Sequence, residues 1–140
     1  MQTPWTDLCD LADLEPERGV AALVDGVQMA VIRLDDGEVV AVQQQDPVCG
    51  AYVMSRGIVG SRAGVPTISS PVYKQVYDLH TGHCLDGLGE NPQPLHRFAV
   101  RVLDGRVQVG GRLVTHADDA EVSELEQPPA RPGRPATVAP

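Results

Sequence analysis

The segment that decides the fold is ISSPVYKQVYDLHTGHCL, residues 68–85. Pro71 fixes its own backbone and biases the residue before it toward an extended conformation, so an exposed bend is predicted over residues 70–74. A strand is predicted over residues 75–79, and Thr81-Gly82 is typical of a turn that leads the chain back. The segment therefore predicts a loop followed by a β-hairpin.

Asp-Gly connections divide the preceding part of the chain into further hairpins. Residues 20–24 and 27–34 are rich in β-formers, and they are joined by Asp25-Gly26, which is a strong type I′ hairpin signal. The turn at residues 35–37 then leads into a third strand over residues 38–43. These strands are predicted to pair antiparallel in sequence order.

A second Asp-Gly hairpin lies further along, where Asp104-Gly105 joins residues 97–103 to residues 106–109. The alternation of side chains along its first strand predicts one face in the core and one face toward solvent. The core face carries Phe98, Val100 and Val102, and the solvent face carries Arg97, Ala99 and Arg101. Apart from one short helical turn predicted at residues 10–14, regular strands and tight turns indicate an all-β fold, an antiparallel sandwich or barrel built from hairpins.

The bend at residues 70–74 resembles the second cluster-binding loop of Rieske-type iron–sulfur domains. That loop has the pattern Cys-Pro-x-His-Gly, followed by a strand that ends Asp-Leu-x-Thr-Gly-x-Cys. Upstream, residues 45–57 are similar to the first loop, Cys-Pro-His-x-Gly-Ala-x-Leu-Ser-x-Gly, with Asp46 and Val48 at the Cys and His positions. The resemblance implies the Rieske-like fold.

The side chains at the four ligand positions do not suit an iron–sulfur cluster. A Rieske centre requires two Cys thiolates on one iron and two His imidazoles on the other. Val48 cannot ligate, and Asp46, Ser70 and Tyr73 offer hard oxygen atoms. The glycine and proline framework of both loops is kept. The resemblance therefore implies a Rieske-like scaffold without its cluster, and we expect no catalytic, cofactor-binding or metal-binding residue in this chain.

Three further stretches resemble one family in particular, the small subunit of bacterial assimilatory NAD(P)H-dependent nitrite reductase. They are residues 14–20, 55–60 and 69–75, and the resemblance covers roughly residues 5–110. It implies a non-catalytic small subunit of an enzyme that reduces nitrite to ammonium. The resemblance also implies a large subunit that carries FAD, an iron–sulfur cluster and sirohaem and uses NAD(P)H.

The expected partner contact is made by the two loops, with Arg56, Tyr73 and Lys74 as the leading contact residues, because Arg and Tyr are favoured at interface cores. The alternative is a stand-alone binding or regulatory module that reuses the cluster-free scaffold.

Length and composition predict one domain with an extension. The chain has 140 residues, of which 42% are hydrophobic, and this suits a single core. We predict a Rieske-like domain over residues 1–111. An acidic and then Pro-rich flexible tail is predicted over residues 112–140, because low hydrophobicity with proline and charge does not repay the entropy of ordering.

Net charge, the N-terminal sequence and the cysteines indicate the class of partner and the cellular compartment. A net charge of −8 and a pI near 4.8 disfavour nucleic acid and anionic membranes as partners. No basic leader with an apolar run and no bilayer-length segment is present, so we predict a cytoplasmic protein. Three widely spaced cysteines, Cys9, Cys49 and Cys84, indicate reduced thiols rather than a disulfide framework.

Other candidate sites each have two interpretations. His80, His83 and Cys84 could form a metal site with Cys49, but alternation on a strand-turn-strand favours their pointing to different faces. Asp46, Ser70 and Tyr73 are either a polar cluster in which Tyr73 donates to Asp46, or separately solvated loop residues. His96 and His116 are isolated in the sequence and are interpreted as surface residues.

Overall fold

The computed structural model describes residues 5–87, 89, 91–115, 122–124 and 137–139. This part of the chain is built from β-strands and two single 3₁₀ turns, which confirms the all-β prediction. The strands are β1 (Thr6–Asp10), β2 (Gly19–Val24), β3 (Val27–Arg33), β4 (Val39–Gln43), β5 (Ile58–Arg62), β6 (Val65–Ser69), β7 (Val76–Asp78), β8 (Cys84–Asp86), β9 (Arg97–Leu103), β10 (Arg106–Thr115), β11 (Val122–Glu124) and β12 (Thr137–Ala139).

The strands form two antiparallel sheets. The larger sheet has the order β1-β10-β9-β4-β3-β2-β12, with β11 paired to β10, and its first and last strands approach each other. It is therefore a nearly closed barrel. The smaller sheet has the order β5-β6-β7-β8 and packs on the outside of the barrel.

The predicted Asp-Gly turns are confirmed. Asp25 and Gly26 have φ values of 53° and 84°, and Asp104 and Gly105 have φ values of 51° and 76°. A positive φ at both central residues defines the type I′ turn, whose twist matches that of the strands. A third such turn, which was not predicted from the sequence, lies at Ala63-Gly64 and joins β5 to β6. Alanine rarely adopts this conformation, so the dipeptide gave no turn signal.

Strand β3 shows how the two sheets share one wall. Met29, Ala30, Val31 and Ile32 are each at most 2% exposed, so the strand lacks the alternation of a half-buried strand. Met29 and Val31 face the barrel interior, whereas Ala30 and Ile32 face the second core between the barrel and the smaller sheet. Because both faces are covered, four successive apolar residues are needed here.

The predicted core face of β9 is only partly correct. Phe98 is buried and Val100 packs against the barrel core, but Val102 is 42% exposed. The strand continues beyond the end of the core toward the turn at Asp104-Gly105, so its last side chains meet solvent.

The predicted helical turn near the N-terminus is present as a 3₁₀ turn at Leu11–Asp13.

Part of the segment predicted to be a flexible tail forms strands. Strand β10 continues past residue 111 to Thr115, β11 pairs with it, and β12 pairs with β2. Residues 116–121, 125–136 and 140, which carry most of the predicted acidic and Pro-rich tail, lie outside the described residues. No helix in the described part of the chain is long and apolar enough to cross a membrane.

Candidate functional site

Two loops meet at one end of the molecule. Loop 1 (44–57) follows β4 and leads into β5, and loop 2 (70–75) connects β6 to β7. Loop 1 closes on itself through Asp46, whose backbone N–H donates to the Ala51 carbonyl at 2.7 Å and whose carbonyl accepts from the Gly50 N–H at 2.9 Å. The loop ends in a 3₁₀ turn at Met54–Arg56, in which Met54 is fully buried in the second core. The buried end of loop 1 holds the exposed part in place.

The Asp46 carboxylate ties the two loops together. It is fully buried. Its Oδ1 atom accepts hydrogen bonds from the backbone N–H of Val48 at 2.7 Å, the backbone N–H of Cys49 at 3.2 Å and Gln75 Nε2 at 2.8 Å. The Ser70 hydroxyl donates to Oδ2. Two of these four donors come from loop 1 and two from loop 2, and we call this arrangement the carboxylate clamp.

The clamp holds Asp46 in its charged form. Burial by itself would raise the pKa of the Asp46 carboxyl group. The hydrogen bonds from Ser70, from the amides of Val48 and Cys49 and from Gln75 outweigh burial, so the pKa lies below its ordinary value of 3.8. A buried carboxylate with four donors is thus a stable ionised centre at neutral pH.

The backbone of loop 2 is a tight turn. The Ser70 N–H donates to the Gln75 carbonyl at 2.9 Å, and the Lys74 N–H donates to the Ser70 carbonyl at 3.1 Å. Lys74 adopts a left-handed conformation with φ of 66°. This is the position at which the Rieske pattern has Gly, the residue that favours this conformation. The turn therefore has a left-handed residue at the position where the Rieske pattern has Gly, although its side chains differ from that pattern.

The predicted polar cluster is correct for Asp46 and Ser70 and wrong for Tyr73. Tyr73 is 54% exposed and is not a donor to Asp46 within the described residues. The Tyr73 side chain is exposed to solvent, and Gln75, which is 3% exposed, supplies the donor instead. Gln75 was not predicted to be a donor to Asp46, although it directly follows the segment aligned with the second ligand pair.

A second missed residue fixes the far side of loop 1. Gln44 is 5% exposed, and its side chain donates to Ser55 Oγ at 2.9 Å and accepts from the Ser55 N–H at 2.7 Å. This pair bridges the beginning and the end of the loop. A glutamine at the end of a strand is a common surface residue, so no sequence signal distinguished it.

The four aligned ligand positions do not fit an iron–sulfur cluster in this arrangement. Asp46 and Ser70 are hydrogen-bonded to each other, so the space between the Cys positions is filled by the clamp. Val48 and Tyr73, at the His positions, are 43% and 54% exposed, and neither carries a ring nitrogen. Rieske iron requires thiolate and imidazole donors, and none of these four side chains supplies one.

Exposed apolar side chains cover the tips of both loops. Val48 and Tyr52 come from loop 1, and Val72 and Tyr73 come from loop 2, each being between 43% and 54% exposed. We call these four residues the loop-tip surface. Large apolar side chains grouped on an exposed surface are typical of protein–protein contact sites.

Among the described residues, the histidines and cysteines do not form a cluster that could hold a metal ion. His80 Nε2 lies 2.9 Å from Glu38 Oε1 at the surface, and Cys84 lies half-buried against the second core. Within the described residues, no group of three or more His, Cys, Asp or Glu side chains is placed to hold a metal ion. Burial, together with the charge of Arg112, lowers the pKa of His96, and His116 lies outside the described residues.

Replacing His80 with glutamine is expected to change the free energy of unfolding by less than about 0.5 kcal/mol, because both partners of the His80–Glu38 pair are nearly half-exposed. Urea denaturation of the variant and the parent protein measures the difference. A loss above about 1 kcal/mol would show that the pair contributes more than a surface ion pair does.

The pH dependence of stability is expected to report on Asp46. Because the pKa of Asp46 is lower in the folded protein than its ordinary value, the charged carboxylate stabilises the fold fully at pH values above the ordinary pKa. This stabilisation is lost as the pH falls through the folded-state pKa. Urea denaturation of the parent protein and Asp46→Asn is compared from about pH 6 to about pH 3. The stability difference between them should narrow as the pH falls. Parallel curves over that range would contradict the assignment of a charged Asp46.

Comparison with known protein families identifies the fold. The family model described as Rieske-like [2Fe-2S] domain matches residues 4–110. The chain belongs to this family. The carboxylate clamp therefore lies in a Rieske-like domain, in the two loops that resemble the cluster-binding loops, and the side chains at the four ligand positions of this chain are unsuited to hold a cluster.

Among the relatives of this Rieske-like domain are nitrite reductase subunits. It is 33% identical to the nitrite reductase (NADH) small subunit of Escherichia coli K12 over 108 residues, which is 76% of this chain and 97% of that protein. A crystal structure is known for a Mycobacterium tuberculosis chain proposed to be an NADH-dependent nitrite reductase small subunit. Its superposition on the present structure has a TM-score of 0.73. The M. tuberculosis chain is 45% identical, and the alignment covers 79% of this chain and 96% of that one.

One relative is a much longer protein. The nitrite reductase [NAD(P)H] large subunit of Klebsiella oxytoca is 37% identical over 109 residues. The aligned part is 78% of this chain and only 11% of that protein. A Rieske-like domain of this kind is therefore part of the large-subunit polypeptide itself in that relative.

Proposed function

We propose that this chain is the non-catalytic small subunit of an assimilatory NAD(P)H-dependent nitrite reductase, which reduces nitrite to ammonium in the cytoplasm. The observation that carries the proposal is the alignment with the E. coli small subunit, which spans nearly the whole of that relative. The alignment with the M. tuberculosis chain supports the same function. In this proposal, the partner large subunit holds FAD, an iron–sulfur cluster and sirohaem and binds NAD(P)H.

The K. oxytoca large subunit supports a direct contact between the two kinds of chain. A domain joined covalently to its partner binds at a high effective concentration, and the same contact can persist when the two are separate chains. A separate small subunit must replace that tether with affinity. The exposed apolar side chains of the loop-tip surface are suited to supply it.

The proposed contact uses the loop-tip surface together with Arg56 and Lys74. Tyr73 is the leading anchor, because an exposed aromatic side chain provides a large contact area at a small cost in conformational entropy. The carboxylate clamp contributes by holding the two loops in one arrangement before binding, which lowers the entropy lost on association. In this proposal the role of the chain is to present a rigid surface, and the electrons pass through the large subunit alone.

The test is a reconstitution with the cognate large subunit, purified separately with its cofactors. Nitrite-dependent oxidation of NAD(P)H is measured with and without the purified chain, and size-exclusion chromatography measures complex formation. We expect a stable complex and a higher rate of nitrite reduction. If the two proteins do not associate and the rate is unchanged, the proposal is wrong, and the stand-alone binding or regulatory module becomes the better interpretation.

A further inference from the structure

A groove runs along the junction of the two sheets. It is lined by residues 17–19, which lead into β2, and by residues 55–59, which lead into β5, and its volume is about 490 Å³. Gly19 makes the close approach of its two walls possible, since a Cβ atom there would lie 2.5 Å from the Ser55 carbonyl oxygen. The groove is therefore a fixed feature of the way the smaller sheet packs on the barrel.

Two arginines line this groove, and neither guanidinium group has a hydrogen bond or ion pair with another described residue. They are Arg18 and Arg56, and both are exposed. Two other arginines of the described surface are paired with carboxylates: Arg62 with Asp86, and Arg106 with Asp7 and Asp10. The groove therefore presents two guanidinium groups without a carboxylate partner, although the chain as a whole has a net charge of −8.

The groove also has an apolar side. Ile58 is 64% exposed, which makes it the most exposed large hydrophobic residue of the described part of the chain, and Val59 lies next to it in the lining. Glu17 lines the groove as well, so its formal charges sum to one positive charge. An occupant with carboxylates for the two guanidinium groups and an apolar side chain for Ile58 would match this surface.

We propose that this groove binds an acidic segment of the large subunit, an extended stretch with carboxylate and apolar side chains. The inference rests on the proposed function. Arg presents a planar fork of donors that matches a carboxylate, and such charge-assisted pairs are stronger than neutral hydrogen bonds. A nucleic acid carries a negative charge at every phosphate and would be repelled along its length by a chain with a net charge of −8, whereas a protein segment can confine its carboxylates to the groove, so a protein segment is the favoured anion. Because Arg56 ends the 3₁₀ turn of loop 1, the groove extends the contact beyond the loop-tip surface.

The test measures the dissociation constant of the full chain with the purified large subunit at low and at high ionic strength. The variants are Arg18→Gln, Arg56→Gln and the double variant. The matched control is Arg62→Gln, which removes the same charge from an exposed arginine of β5 that is paired with Asp86. Thermal unfolding of each variant verifies that the fold is retained.

Each groove variant should weaken binding about fivefold at low ionic strength, and the double variant about 25-fold. The difference in dissociation constant between each groove variant and the parent protein should shrink at high ionic strength, because salt screens exposed charges. Arg62→Gln should stay within about twofold of the parent. If the parent binds and the double variant binds equally well, the groove inference is overturned while the proposed function stands. If the parent protein itself does not bind, both are overturned.

Discussion

Replacing Asp46 with alanine is expected to lower the free energy of unfolding by about 3 kcal/mol or more. The substitution removes the acceptor of four hydrogen bonds in a fully buried position. The hydroxyl of Ser70, the amide of Gln75 and two backbone N–H groups would lose their partner, and each unsatisfied buried donor costs about 1–3 kcal/mol. The two loops would also lose the only carboxylate that joins them among the described residues, so their relative position would be less fixed.

Urea denaturation at neutral pH measures this loss directly. Asp86→Ala is the matched control, because Asp86 is an exposed carboxylate whose one ion pair is 3.5 Å long, and its removal should cost less than about 0.5 kcal/mol. Asp46→Asn should have an intermediate effect, since it keeps one acceptor oxygen but loses the charge. A loss below about 1 kcal/mol for Asp46→Ala would contradict the clamp.

Replacing Tyr73 with alanine is expected to weaken binding of the purified large subunit about 30-fold, which corresponds to about 2 kcal/mol. In this proposal Tyr73 is the largest anchor of the loop-tip surface, and it makes no hydrogen bond to Asp46. The substitution should therefore leave the stability of the free chain nearly unchanged. Surface plasmon resonance with the immobilised large subunit measures the affinity, and urea denaturation measures the stability.

Leu103→Ala is the control for Tyr73→Ala. Leu103 is 50% exposed and precedes the Asp104-Gly105 turn of β9 and β10, outside both loops. Its truncation removes an exposed apolar side chain outside the proposed interface and should leave the affinity within about twofold. Equal effects of the two substitutions would show that the loop-tip surface is not the contact.

The sequence was most informative where a residue type is tied to one backbone shape. Asp25-Gly26 and Asp104-Gly105 predicted their hairpins correctly, because few residues adopt two successive positive φ values. Ala63-Gly64 forms the same turn and was missed, since the strain on alanine is accepted here to pair β5 with β6. The exposure of Val102 was missed for another reason: alternation reveals the face of a strand but not where the core beneath it ends.

In the functional site, too, residue type alone predicted some features, whereas others depend on tertiary structure. The loss of the four ligand types could be read from Asp46, Val48, Ser70 and Tyr73, because ligand chemistry depends on residue type alone. The carboxylate clamp that takes the place of the cluster could be predicted from the sequence only in part. Whether Tyr73 or Gln75 joins Ser70 as a side-chain donor to Asp46 depends on the directions of their side chains on either side of the left-handed residue Lys74, and those directions are set by tertiary structure.

A buried, ionised carboxylate in place of an iron–sulfur cluster is the central claim, and the metal content of the protein tests it most directly. The full chain is expressed with ample iron and sulfur, purified without air, and examined by visible absorption together with iron and acid-labile sulfide analysis. We predict a colourless protein with far less than one iron per chain. A reddish-brown protein with two irons and two sulfides per chain would contradict the account.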